Sequence, residues 1–462
     1  MPTRPLEVHA MRKHFATAVI GLGASLGIIG CGDFLTGPKL SDNPNRPVAA
    51  TNANLLVASQ TNLSGVIEGH LGRSICVWMQ QCAGTRLQYN SLGQYIVGDD
   101  DYFIAWSQIY GPGGLVDLRL LQRQALATGD SAYAGVGKVL EAWYIGLAAD
   151  VWGDIPYSQA VDSTFPTPVL DPQDQVYAAL QLKLDEAIAS MNASNPGGSP
   201  PGIEDLVYGG DLTKWTALAY TLKARYYLHT AERLGAPAYA AALAAATSGI
   251  ADPSGDYLAY HSAASIQSNN IYSQFTSQWQ DYLSAGKALL DLLQGTADPR
   301  LSLYFDPNAS GVFVGADPGD DIGISPSPLS TTRLDPSFRQ PLATWAENLL
   351  IIAEAANQAG DDLTARANLD AVRADAGLAP VGGGVSGAAL LQAIMTEKYI
   401  RLFQSPEAWS DYRRTCLPAL VPAPGSTFIP ARFVYPLSER NANTSIADSG
   451  PLQNWNDPNP CP

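Results

Sequence analysis

The chain has 462 residues, 46% hydrophobic and 15% charged, the profile of a large folded protein rather than a disordered one. Its 43 acidic residues outweigh 27 basic ones for a net charge of −16, which argues against a protein that holds nucleic acid by neutralising phosphates.

Met11, Arg12 and Lys13 precede an uncharged stretch from Phe15 to Gly30, a charged start followed by an apolar run too short for a comfortable membrane span. The run ends in Ile28-Ile29-Gly30-Cys31, which matches the bacterial lipobox, so Cys31 is expected to become the acylated first residue. A plain secretory signal cleaved nearby, or a membrane anchor that stays, is the alternative. Residues 1–30 therefore read as a lipoprotein signal peptide, with the start at Met1 or Met11 left open. Residues 31–50, rich in Gly, Pro and Asn, read as a lipid-anchored tether. Residues 51–462 read as a single domain with no further stretch apolar enough to span a bilayer.

Past the tether the pattern is mostly that of amphipathic helices. One is expected from about Ser131 to Val151 after the Gly129-Asp130 turn, with Val136, Leu140, Trp143, Tyr144, Leu147 and Val151 at helical spacing. A second has Asp171 as N-cap and Pro172 at the first helical position, followed by Val176, Leu180, Leu184 and Ile188. A third runs from about Leu212 to Arg233. Residues 344–376 read as a helix pair, broken where Gly360 stops one helix and Asp361-Asp362 caps the next. Hairpins of this length, with Ala353, Ala356, Ala365, Ala367 and Ala371 as small contact residues, resemble degenerate tetratricopeptide units. The fold expected is all-α, tetratricopeptide-like helical hairpins with long irregular insertions at 82–110, 254–281 and 298–341 and little strand.

Setting Cys31 aside, Cys76, Cys82, Cys416 and Cys461 form an even set in an exported chain and suggest two disulfides. Sequence proximity alone favours Cys76–Cys82 and Cys416–Cys461. The histidines left beyond the signal, His70, His229 and His261, are scattered, so structural zinc is not expected.

A longer set of strings identifies the chain by likeness. Asp150-Val151-Trp152-Gly153-Asp154-Ile155-Pro156-Tyr157-Ser158-Gln159-Ala160 resembles the hallmark of the SusD/RagB family of outer-membrane nutrient-binding lipoproteins. Trp106-Ser107-Gln108-Ile109-Tyr110 stands before it. After it come Gly210 to Trp215, Asp298-Pro299-Arg300-Leu301, Glu347 to Ala355, Glu397-Lys398-Tyr399, Trp409 to Arg414, and Ile429 to Asn441, in the family's order. The resemblance runs from Cys31 almost to the end. It implies a SusD-like α-α superhelix with a less regular ligand-binding half, anchored by lipid on the cell-surface side of the outer membrane. It further implies a binding protein, not an enzyme, that delivers an oligosaccharide or peptide to a SusC-like TonB-dependent transporter. The residues by themselves leave open a tetratricopeptide-like scaffold for protein partners without nutrient binding.

Neutral glycans are gripped by flat aromatic faces with amide, carboxylate or Arg groups nearby. Two clusters have that mixture. The first lies between Trp78 and Trp106 in chain expected to be non-helical, and offers Trp78, Arg86, Tyr89, Asn90, Tyr95 and Tyr102. The second holds Tyr272, Phe275, Gln278, Trp279 and Tyr282, whose spacing also fits the buried side of a helix. After Asp298-Pro299-Arg300-Leu301 the chain has Tyr304, Phe305, Phe313 and Phe338 but no Trp, which puts a starch-like ligand in doubt. Asp306, Asn308, Ser310 and Asp317 have the oxygen spacing of a calcium loop, although Pro318 and Gly319 forbid its usual exiting helix. No cofactor is otherwise expected. Beyond the signal, whose Gly23-Ala24-Ser25-Leu26-Gly27 is part of the apolar run, no Gly-x-Ser-x-Gly or His-Glu-x-x-His motif is present, and Glu347 and Glu354, seven apart on one helix, read as structural carboxylates paired with Arg.

Overall fold

The computed structural model describes residues 50–195, 198–320, 325–446, 448–454 and 456–461; the signal, the tether and Cys31 lie outside the described residues. Helices α1 (Asn52–Ile67) and α2 (His70–Trp78) lead to strand β1 (Cys82–Gly84), then to α3 (Leu87–Gly93), α4 (Phe103–Tyr110) and α5 (Leu115–Thr128). Gly129, at φ 74°, ends α5, and the Asp130 carboxylate accepts from the Tyr133 N–H to start α6 (Ser131–Trp152). The expected stripe of Val136, Leu140, Trp143, Leu147 and Val151 is buried. So is most of the rest of α6, because α5 and α7 (Gln173–Asn192) both pack on it. Glycine makes those contacts possible. A Cβ at Gly135 would sit 2.5 Å from Met191 Cγ, and one at Gly146 would sit 2.1 Å from the Tyr226 hydroxyl.

The cap expected at Asp171 is not made. Pro172 takes the N-cap position of α7, and Asp171 turns back to accept from the Tyr157 and Ser158 N–H groups at 2.8 and 2.7 Å, closing the turn after α6. Helix α8 (Leu212–His229) stops short of Arg233. Thr230 draws both its N–H and its hydroxyl to the Tyr227 carbonyl, a local bond that competes with continued helix. A single turn, α9 (Ala231–Leu234), and α10 (Ala236–Ala246) follow.

The next part alternates short elements: β2 (Tyr257–Leu258), α11 (Ile271–Gln278), β3 (Leu283–Ala285), α12 (Lys287–Gly295), α13 (Leu301–Tyr304) and β4 (Pro341–Ala343). Strand β1 pairs antiparallel with β3, and β2 with β4. Segments expected to be irregular thus contain helical turns, notably α3, α4 and α11. These helices have seven or eight residues; α3 and α4 have no side-chain cap, so tertiary burial of Tyr89, Leu92, Trp106 and Ile109 holds them rather than local signals.

Helices α14 (Trp345–Gln358) and α15 (Asp362–Asp375) form the expected pair, with Gly360 at φ 79° and the Asp361 side chain accepting from the Thr364 N–H. The chain ends with α16 (Gly387–Arg401), α17 (Glu407–Thr415) and α18 (Leu437–Ala442). Contacts run from α8 to α10, from α10 to α14, and from α14 to both α15 and α16, so the helices stack as a continuous array. Disulfides join Cys76 to Cys82 and Cys416 to Cys461, the pairing that proximity favours.

The recognisable strings of the sequence meet in one buried clasp. The Trp152 indole N–H donates to the Val434 carbonyl at 3.0 Å, the Phe433 N–H to Val151 at 2.7 Å, and Arg432 Nε to Trp152 at 3.1 Å. Trp409 donates to Pro430 at 2.8 Å. Glu347 is held by Arg225 through two bonds of 2.7 and 2.8 Å, and Glu354 by Lys398 and Arg414 at 2.8 and 2.7 Å. Among the described residues no helix is long and apolar enough to cross a membrane.

Candidate functional site

Strand pairing brings the two sequence clusters together. Cys82 faces Ala285 in the β1–β3 ladder, and the Cys76–Cys82 disulfide ties β1 to the end of α2. The ladder continues one residue further: the Thr85 N–H donates to the Tyr282 carbonyl at 3.3 Å and the Thr85 hydroxyl to the Asp281 carbonyl at 2.6 Å. Arg86 Nη2 then reaches Asp281 Oδ2 at 3.2 Å, both side chains 60% exposed. Asp281 adopts φ 61°, a left-handed conformation that aspartate tolerates better than most residues.

Aromatic rings fill the space between these strands. Tyr89 lies 5.1 Å from Phe275 and 6.2 Å from Tyr282, and Tyr282 meets Trp279 edge-on at 5.2 Å. From beneath, the Arg73 guanidinium sits 4.2 Å from the centre of the Phe275 ring, while its Nε donates to the Tyr89 hydroxyl at 2.8 Å. Burial pushes the Tyr89 phenol up, with Arg73 opposing. Tyr89 is buried, Phe275 and Tyr282 are half-buried, and Trp279 is 44% exposed beside exposed Arg86, Leu87 and Gln88. A cleft of about 250 Å³ adjoins this face, lined by Thr276, Gln280, Asp281, Pro307, Asn308 and Ser325 among others. The face has what neutral sugars need, apolar ring surface beside charged and amide hydrogen-bonding groups.

Of the expected ligand-binding residues Trp78, Arg86, Tyr89, Asn90, Tyr95, Tyr102, Tyr272 and Trp279, Arg86 and Trp279 reach solvent here and Asn90 is half-buried. Asn90 is tied to its own loop, accepting from Gln94 Nε2 at 2.6 Å. The others are a correction. Trp78 is 0% exposed and donates to the Leu92 carbonyl at 3.1 Å, walled in by Tyr95, Tyr102, Trp409 and Phe433. Tyr102 stacks on Phe433 at 3.6 Å, the Tyr95 hydroxyl accepts from the Ala423 N–H at 3.0 Å, and Tyr272 is 1% exposed. Tyr89 backs the face without being exposed. These rings are drawn inward to pack on one another and on the C-terminal segment, whereas Arg86 at the β1–α3 turn and Trp279 at the α11–β3 turn stay outside. Asp281, Leu87, Thr85 and Arg73 are members of this face that the sequence reading did not single out; nothing in their local pattern marks them, since the β1–β3 pairing places the first three and α2 brings Arg73 under Phe275.

The calcium spacing does not give a converging oxygen set. Asn308 Oδ1 accepts from the Ser310 and Val312 N–H groups at 3.0 and 3.3 Å, and Asp306 Oδ2 from the Thr331 N–H at 2.9 Å, so these oxygens shape the turn. Among the described residues the group with metal-like proximity is Asp150, His229 and Glu407. His229 Nδ1 lies 2.7 Å from Asp150 and Nε2 3.0 Å from Glu407. Burial pulls the imidazole down, but the two carboxylates more than offset that and raise it to about 9. The two carboxylates thus favour the imidazolium, which acts as a proton-bearing clamp between them.

Comparison with known proteins gives a family and a fold. Residues 44–436 match the model of a SusD-like family described as starch-binding and associating with the outer membrane. A chitin-binding SusD homologue from Flavobacterium johnsoniae superposes with a TM-score of 0.76 at 20% identity, covering 89% of this chain and 98% of that one. Another chitin-binding protein gives 0.72 at 23% identity over 85% and 94%. A SusD/RagB family protein from Bacteroides thetaiotaomicron gives 0.70 at 19% identity over 89% and 98%. No curated protein matches.

Proposed function

Because the chain belongs to the SusD-like family, described as starch-binding and associating with the outer membrane, we propose that it is a surface glycan-binding lipoprotein serving a SusC-like TonB-dependent transporter. Cys31 carries the lipid and the tether holds the body away from the bilayer. The glycan lies on the face formed by Trp279, Tyr282 and Phe275, with Arg86 and Asp281 hydrogen-bonding its hydroxyls. The observation that carries this reading is the meeting of the two aromatic clusters across the β1–β3 ladder, which leaves Trp279 exposed next to an ion pair and a cleft. Binding there requires no chemical step: the face stacks on and orients a sugar, and release follows when the transporter opens beneath it.

Isothermal titration with a panel of starch-derived and chitin oligosaccharides tests the site. At least one should bind saturably, and Trp279→Ala should weaken it by about 1–3 kcal/mol, the range for one lost stack on an aromatic ring. The two chitin-binding relatives justify including chitin oligosaccharides, and the lack of a Trp between residues 302 and 340 makes starch the weaker candidate. No binding across the panel would remove the glycan reading. Separately, Cys31→Ala should release the protein from membranes, and a mild-detergent pull-down should retain a TonB-dependent transporter; retention of other proteins instead would favour a scaffold.

A further inference from the structure

A second cavity, of about 240 Å³, opens at the start of α14 and is lined by Asp256, Arg300, Tyr304, Arg333, Arg401 and Phe403, among others. It shares no lining residue with the cleft beside Trp279. Two of its arginines are paired with carboxylates: Arg300 is neutralised in the interior by Asp298 at 2.7 Å and by Glu397, while Arg401, nearer the surface, meets the partly exposed Asp375 through one nitrogen at 2.5 Å, a pair that water screens. Arg333 is not. It is 7% exposed, and its Nε and Nη2 donate to the Gln404 side-chain oxygen at 3.0 and 2.6 Å and to the Phe403 carbonyl at 3.2 Å, all neutral acceptors.

The rest of its surroundings are rings. Phe338, Phe403 and Tyr304 have their centres 4.8, 5.0 and 5.5 Å from the guanidinium carbon. Among the described residues no carboxylate lies at ion-pair distance from Arg333, and Nη1 has no hydrogen-bond partner. Glu68 is the carboxylate whose charge reaches it, but Glu68 is engaged by His261 at 2.9 Å. A buried cation without a counter-charge is costly, and cation–π contacts offset only part of that cost.

Two features of the cavity wall suit a negative group. Thr344, the N-cap of α14, lines it and brings the positive end of a fourteen-residue helix to the opening. The lining carboxylates oppose little: Glu347 is held by Arg225, and burial pushes Asp256 up to about 7, so it is largely uncharged in mild acid. Asp256 also accepts from the Trp345 N–H at 2.7 Å.

We propose that this cavity is an anion site that takes the carboxylate or phosphate of a small molecule, with Arg333 Nη1 as the principal donor and Arg401 adding charge. The anion supplies the counter-charge that the fold leaves out. The site is independent of the glycan face.

The test is calorimetric titration and thermal melting of the full-length protein with inorganic phosphate and, in a separate arm, with acetate. One-site saturable binding and a rise in melting temperature are expected with at least one of them; the arm that binds tells phosphate from carboxylate chemistry. Arg333→Gln should weaken that anion about tenfold or more, the loss of one hydrogen bond to a charged group, and should leave glycan affinity unchanged. Arg401→Gln, altered nearer the surface, should weaken it by less. Absence of saturable binding in both arms overturns the site, as does equal affinity in folded Arg333→Gln. Should that variant fail to fold, unchanged anion affinity in Arg401→Gln overturns it instead.

Discussion

The clasp around Trp152 and the face around Trp279 are both aromatic, yet they treat their rings in opposite ways. Trp152 and Trp409 are 0% exposed, and each gives its indole N–H to a backbone carbonyl more than twenty residues away in sequence. Trp279 sits at a turn, 44% exposed, beside an ion pair open to water. A ring whose polar atom is already spent on the backbone holds the chain to itself. A ring left at a turn next to solvent-exposed polar groups has surface to offer a ligand. The recognisable strings of this sequence therefore mark how the molecule is tied together, and the proposed glycan face is built from residues outside them.

Trp78 against Trp279 is the sharpest way to break that contrast. Trp78→Ala should cost about 3–5 kcal/mol in denaturant unfolding, as truncation of a fully buried Trp does, while glycan affinity of the folded protein stays unchanged. Trp279→Ala should do the reverse, with stability within about 0.5 kcal/mol and ligand binding weakened. If Trp78→Ala lowers affinity at unchanged stability, the two regions are not separate and the face has been drawn too narrowly.

The clasp also has a proton in it. His229, between Asp150 and Glu407, is raised from its ordinary 6.5 to about 9. A raised folded-state value means the imidazolium binds its proton more tightly in the folded chain, so its stabilisation is complete below about 6.5 and is lost as pH rises through about 9. Unfolding free energy should fall across that window by an amount on the order of 3 kcal/mol at most, and His229→Gln should flatten the slope there. A slope that survives the substitution places the titrating group elsewhere. Among the described residues no histidine contacts Trp279, Phe275 or Tyr282, and His70, edge-on to Tyr89 behind the face, is held down to about 4 by burial, so affinity should not follow the same curve.

How much of this was readable beforehand follows the same division. The helix starts at Ser131 and Asp362 were legible because Asp130 and Asp361 are local caps behind glycines. Helical periodicity and the likeness of the Asp150–Ala160 string both point to the all-α fold class. Helices α3 and α4 were not legible, since they are short and uncapped and their burial depends on partners far away in sequence. Both aromatic clusters were visible as compositions, but not their exposure. Trp78 and Trp279 look alike in sequence; the stacking of Tyr102 and Phe433, from opposite ends of the chain, seals one, and the β1–β3 ladder lifts the other. Asp281 and Arg86 lie 195 positions apart, a separation no local pattern spans.

That pair gives the smallest effect and the finest test of the face. Two side chains each 60% exposed contribute at most about 0.5 kcal/mol to stability, because water and salt screen them. Arg86→Ala and Asp281→Asn should therefore leave melting unchanged, and any loss of glycan affinity, expected near 1 kcal/mol for a hydrogen bond each, reports contact with ligand. The double variant separates two roles. If its loss equals the sum of the singles, each group holds a different sugar hydroxyl; if it equals either single, the ion pair acts as one unit that fixes the turn carrying Trp279, and the rings alone do the gripping.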